Sequence, residues 1–233
     1  MTSASDPRAL IFDWDNTLVS SWGTIHDALN HMLEAMGHAP WSLEEVRVRV
    51  RHSLRDAFPK LFGERWQEAR KIYLDRFEAI HLERLNPLPG AEALLDSLHA
   101  DGRYLALVSN KTGRLLRREV AALSWDRYFG AVIGAGDAVR DKPDPAPIGL
   151  ALTPGGIEAG PDVWFVGDTG IDLACGLAGG CTPVLVHGGE IEDDFAHCHP
   201  ARSFPDCGAL GAFLHISRRG AAMTAGSCAG GSL

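Results

Sequence analysis

The chain has 233 residues, 45% of them hydrophobic and 22% charged, with a formal net charge of -8, a balance that suits a soluble globular protein with one substantial core or a core plus an insert. That charge disfavours a broad nucleic-acid surface, whose affinity would rest on lysines and arginines neutralising phosphates, and leaves room only for a small basic pocket. No apolar run approaches the roughly 20 residues of a membrane span, the start Met1 to Pro7 lacks a signal-peptide pattern, and the five cysteines contain no Cys-x-x-Cys, so the reading is a cytoplasmic protein with scattered thiols and no membrane partner.

The first element in chain order is a short buried strand, Ala9 to Phe12, which runs into Asp13-Trp14-Asp15-Asn16-Thr17-Leu18. Side chains at i and i+2 of an extended segment project to one side, so Asp13 and Asp15 are expected to face one site. Two anions that close call for a cation or a shared proton between them. A hard divalent ion such as Mg2+ suits them, because it takes oxygen ligands and completes its shell with water and substrate phosphate.

After Thr17 the period becomes helical, with Trp22, Ile25, Leu29, Met32 and Met36 on one stripe ended by Gly37. Ser42-Leu43-Glu44-Glu45 reads as a capping box that opens a second helix. A third carries Trp66, Ala69, Tyr73, Phe77 and Ile80. Asn86-Pro87-Leu88-Pro89-Gly90 breaks the pattern, since each proline removes an amide donor. Residues 20–86 therefore read as an all-α insert.

From Gly90 helices and strands alternate: helix Ala91 to His99, strand Tyr104 to Val108, helix Gly113 to Leu123, strand Ala131 to Ile133. Then come helix Ala146 to Leu152, strand Val163 to Val166, helix Ile171 to Ala178 and strand Pro183 to Val186. This order predicts an α/β fold, a three-layer α/β/α core with a parallel sheet and the all-α helical cap inserted. The core comprises 1–19 and 87–216, and 217–233, rich in Gly, Ala and Ser, reads as a flexible tail.

In such sheets ligands bind beyond the carboxyl ends of the strands. That edge would receive Asp13 and Asp15, then Ser109-Asn110-Lys111, Lys142-Pro143, and Gly167-Asp168-Thr169-Gly170-Ile171-Asp172. The set matches phosphate monoester hydrolysis, which enzymes accelerate by positioning and charge stabilisation. Asp13 could attack phosphorus to form an aspartyl-phosphate, and Asp15 would serve as general acid and then base. Asp13, the Asp15 carbonyl and Asp168 would hold Mg2+. Lys142 supplies positive charge, while Thr17, Ser109, Asn110 and nearby amides bind phosphoryl oxygens. Asp172 orients Lys142 or a metal-bound water.

These four motifs, in order and spacing, resemble those of the haloacid dehalogenase superfamily, in its helical-cap phosphatase branch near the phosphoglycolate phosphatases and beta-phosphoglucomutase. The likeness spans roughly Ala9 to Leu214. It implies a Rossmann-like core, a mobile cap, Mg2+ dependence and the aspartyl-phosphate route. Asn16 stands where many relatives carry Gly, and Asn accepts unusual backbone angles better than most residues.

Arg47, Arg51 and Arg55 are read as one helical face of the cap with His52 nearby, and Arg51 and His52 are candidate substrate contacts. The bland alternative is a solvated face with Glu45 and Arg49 paired. Trp22 reads as core, His197-Cys198-His199 with Cys207 as a loop rather than zinc ligands, and Lys111 as either a phosphate contact or a solvent-exposed side chain. The expected partner is a small phosphorylated metabolite, and the protein is a monomer or homodimer. A phosphosugar mutase and a catalytically inactive binding protein are the alternatives. A dehalogenase is disfavoured by Asp15, because attack on carbon needs no second carboxylate to protonate a halide.

Overall fold

The computed structural model describes residues 6–50, 52–187 and 198–215. At its centre is a six-stranded sheet built from β1 (Ala9–Phe12), β4 (Tyr104–Thr112), β5 (Ala131–Ala135), β6 (Val163–Gly167), β7 (Thr182–Val186) and β8 (Arg202–Phe204), in the order β5-β4-β1-β6-β7-β8. Every pairing in it is parallel. The chain first builds outward from β1 to β5, then returns to β1's other edge for β6. The strand order therefore reverses at β1, and a crevice opens beyond its carboxyl end.

Alternation along β1 sets the layers. Leu10 and Phe12 pack with Leu107, Trp164 and Val184 beneath α5 (Ala91–Ala100), α6 (Gly113–Ala122) and a last helix over 207–215. Ala9 and Ile11 face the opposite way with Val108 and Phe165, against Ile148 and Leu152 of α7 (Ala146–Leu152) and Cys175 of α8 (Gly170–Ala178). Both faces of the sheet are covered, as buried parallel strands require.

The insert has four helices, α1 (Trp22–Ala35), α2 (Leu43–Arg49), α3 (Leu54–Phe62) and α4 (Trp66–Ile80). They share an apolar cluster of Leu29, Met32, Phe58, Tyr73 and Phe77 that reaches the core through Leu115 of α6. Its entry and exit are tied together, because β2 (Val19–Ser20) pairs antiparallel with β3 (Asn86–Pro87). The capping box at Ser42 forms: Glu45 N–H donates to Ser42 Oγ at 3.1 Å and Ser42 N–H to Glu45 Oε2 at 2.8 Å.

Several elements depart from the expectations. β4 runs past Val108 to Thr112 through a register shift. The α3 helix, the β2–β3 ribbon and β8 were not anticipated. The arginine face is not one face, because α2 stops at Arg49, Val50 is extended (ψ 93°) and Arg55 belongs to α3. Arg51, His197 and the tail at 217–233 lie outside the described residues. No helix among the described residues is long and apolar enough to cross a membrane.

Candidate active site

The turn after β1 is tight, with Leu18 N–H donating to the Trp14 carbonyl at 3.0 Å and Asn16 N–H to the Val19 carbonyl at 2.7 Å. It places Asn16 in the left-handed region, φ 62°. Asn16 Oδ1 then accepts from the N–H groups of Ser21 (3.0 Å) and Trp22 (3.2 Å). Ser21, the residue before α1, makes no side-chain cap of its own. Asn16 thus shapes the turn beyond Asp13 and also supplies the acceptor that the start of the cap helix lacks.

Asp13, Asp168, Asp172 and Lys142 come together at the carboxyl edge, all of them buried. Lys142 Nζ donates to Asp13 Oδ1 at 2.6 Å and to Asp172 Oδ1 at 2.7 Å. Asp172 Oδ2 accepts from Thr169 N–H at 3.0 Å and Thr169 Oγ1 at 2.8 Å, which fixes it in the first turn of α8. Gly167 makes this approach possible: a Cβ there would lie 2.3 Å from the Cβ of Asp172. Thr17 Oγ1 donates to Asp168 Oδ1 at 3.3 Å.

The electrostatics leave this edge short of positive charge. Burial raises the Asp13 carboxyl to about 7, assisted by the nearby Asp172 and Asp15 charges and opposed by Lys142. Burial also raises Asp168 well above its ordinary value, with Asp172 and Asp13 adding to the effect. Lys142 moves the other way from what burial alone would give: Asp13 and Asp172 hold it charged. One ammonium among three buried carboxylates is insufficient compensation.

A hard cation fits that deficit. One oxygen from each of Asp13, Asp168 and Asp172 lies within 4.8 Å of the others, and an all-oxygen donor set of high negative charge suits Mg2+. Asp15 contributes no side chain to this cluster. Its Oδ1 turns instead to Lys111 Nζ at 2.6 Å.

Lys111 consequently departs from the solvent-exposed alternative. Its side chain is buried between Asp15 and Glu119 at the wall of the cavity. Asn110 has a structural tie as well, its Nδ2 donating to the Lys142 carbonyl at 3.1 Å. Ser109 Oγ accepts from Lys111 N–H at 3.2 Å, so its own hydrogen is left for an incoming acceptor. The cavity above these groups is roofed by Trp22, Ile25, Val50, Leu54 and Phe77 of the cap, with His52 at its rim. Trp22 therefore both packs on the cap cluster and faces the cavity. Arg55 points elsewhere, to Asp141 at 2.9 Å, and Cys207 is buried in the core.

Glu119 and His81 carry no motif, although their spacing holds a signal. Glu119 sits within the stripe Leu115, Leu116, Val120 of α6, and His81 one turn beyond Phe77. A charged or polar residue inside an apolar stripe is buried and needs a partner.

The family model for haloacid dehalogenase-like hydrolases matches residues 10–186. The phosphoglycolate phosphatase of Psychrobacter arcticus is 28% identical over 222 residues, covering 90% of this chain and 96% of its own. That of Photorhabdus laumondii subsp. laumondii is 31% identical over 210 residues, covering 86% and 87%. Among solved structures, a haloacid dehalogenase-superfamily hydrolase from Ehrlichia chaffeensis superposes with a TM-score of 0.63 at 29% identity, covering 92% of this chain and 98% of that one.

Proposed function

This chain belongs to the haloacid dehalogenase-like hydrolases and is a phosphatase acting on phosphoric monoesters, and from that premise we propose that it cleaves a small phosphorylated metabolite with Mg2+ through an aspartyl-phosphate on Asp13. The convergence of Asp13, Asp168, Asp172 and Lys142 at the point where the strand order reverses carries this reading.

Asp13, the Asp15 carbonyl and Asp168 would hold the metal, which when bound offsets repulsion between carboxylate and phosphate dianion. Asp13 supplies the attacking oxygen, held by Lys142 at 2.6 Å. Lys142 stays protonated and meets the charge that gathers on the phosphoryl oxygens. Ser109 donates its free hydroxyl hydrogen to one of them. Asp15 gives a proton to the leaving oxygen and afterwards takes one from the water that releases phosphate. Asp172 keeps Lys142 in place at 2.7 Å. Closure of the cap over this cavity would exclude bulk water from the exchange.

Phosphoglycolate is the first ester to test, since relatives carry that name. The predominantly apolar roof of the cavity also favours leaving groups with carbon surface, so the panel should extend to larger alkyl and sugar phosphates. A cytoplasmic setting suits the free thiols of Cys175, Cys181 and Cys207.

The decisive measurement is phosphate release by the purified protein with and without Mg2+, repeated with Asp13→Asn. The wild type is expected to release phosphate only with the metal, and the variant to lose about three orders of magnitude or more in kcat. A variant that turns over normally would refute the covalent route. Product analysis separates hydrolysis from a mutase, which returns an isomer and little free phosphate.

A further inference from the structure

Beneath the reacting edge lies a second group of charges that the scheme above does not use. Lys111 Nζ donates to Asp15 Oδ1 at 2.6 Å and to Glu119 Oε2 at 2.5 Å, with the lysine side chain only 5% exposed. Glu119 is itself anchored on both oxygens: Trp14 Nε1–H donates to Oε2 at 2.6 Å, and His81 Nδ1 meets Oε1 at 2.7 Å. The Phe77 ring lies 5.1 Å from Lys111 Nζ. His81 follows directly on α4, so this chain of contacts runs from the end of the cap's last helix to Asp15.

A buried ion network is seldom the most stable filling for such a space. Well-packed apolar residues of similar volume are often as stabilising or more so. Its geometry, in contrast, has a direct use. Proton transfer requires the donor oxygen within about 3 Å of the leaving oxygen, and a freely rotating carboxyl spends little time there.

We propose that Lys111 is a positioning residue for proton transfer: it clamps Asp15 Oδ1 so that the other carboxyl oxygen is presented to the leaving group, with Glu119, Trp14 and His81 as the fixed base of the clamp. This rests on the role proposed for Asp15. In the step, the bond from Asp13 to phosphorus forms as the bond to the leaving oxygen breaks, and that oxygen receives the proton from Asp15. Lys111 keeps its own protons throughout.

The test compares two esters that differ in their need for acid. A nitrophenolate leaves unaided, whereas an alkoxide requires a proton. The kcat/KM value reports events up to release of the alcohol, so the later hydrolysis of the intermediate does not obscure it. Lys111→Met is expected to lower kcat/KM for an alkyl phosphate by about tenfold or more beyond its effect on 4-nitrophenyl phosphate. Glu119→Gln, which keeps the shape of the base, should show the same bias to a smaller degree, and it carries the test if Lys111→Met does not fold.

Equal losses on both esters in the folded variants, or no loss on either, would overturn the clamp. Asp15→Asn serves as the reference. If Asp15→Asn shows the leaving-group bias and the Lys111 and Glu119 variants do not, the clamp alone is wrong. If Asp15→Asn shows none, the proton-donor role on which it depends fails first.

Discussion

Asp13 occupies an environment that works against its ionisation. Its carboxyl is raised from 3.8 to about 7, with burial the largest cause. The folded protein therefore retains a proton that the unfolded chain has already released, so this group's contribution to stability falls as pH rises between those values. Mg2+ held there would bind the ionised form and compete with that proton. The stabilisation conferred by Mg2+ is accordingly expected to be larger at about pH 8 than at about pH 5.5, reaching about 2–3 kcal/mol at about a hundred times Kd. Thermal melts with chelator or Mg2+ at both pH values check this. An equal shift at both would show that no carboxyl near the ion titrates in the range. Asp13 and Asp15 were both legible in the sequence as one pair facing the strand edge, but the partners that hold them were not: only the tertiary fold brings Lys142 to Asp13 and Lys111 to Asp15.

At the scale of elements, Asn16 joins two structures that the sequence suggests only separately. It bends the chain after β1 with φ 62° and accepts from two N–H groups at the start of α1. Asn16→Ala should lose both bonds and place an alanine in the left-handed region, costing about 1–2 kcal/mol. Asn16→Gly should keep the turn and cost less. Urea unfolding of the two variants tests that order, and equal losses would mean that the turn geometry contributes nothing. The strands and the long helices of this chain were readable because each repeats an apolar period over several residues. The α3 helix was not, since Phe58 is its single buried residue and Pro59 interrupts it. β8 has three residues, too few to display an alternation. The burial of Lys111 was illegible for another reason: nothing near it in sequence reveals that Asp15 and Glu119 will close around it.

For the whole molecule, the relation of cap to core decides how the site is sealed. Arg55 of α3 reaches across to Asp141, whose side chain is 1% exposed and also accepts from Gly136 N–H at 3.0 Å. Arg55→Ala would leave that carboxylate without its cross-domain cation. Because the arginine is partly in solvent, the loss is about 1 kcal/mol of closure, or roughly fivefold in KM with kcat little changed. Steady-state kinetics on the best ester of the panel measures it, and an unchanged KM would show that the pair does not hold the cap. The ribbon of β2 and β3 has a different kind of consequence. Because the chain leaves and re-enters through hydrogen-bonded neighbours, the sheet experiences the entire insert as though it were a hairpin loop. Closure entropy grows only with the logarithm of loop length. The fold is thus a socket: a differently sized lid grafted between Ser20 and Asn86 would burden the sheet little, and the reacting edge can persist while the compounds admitted to it change.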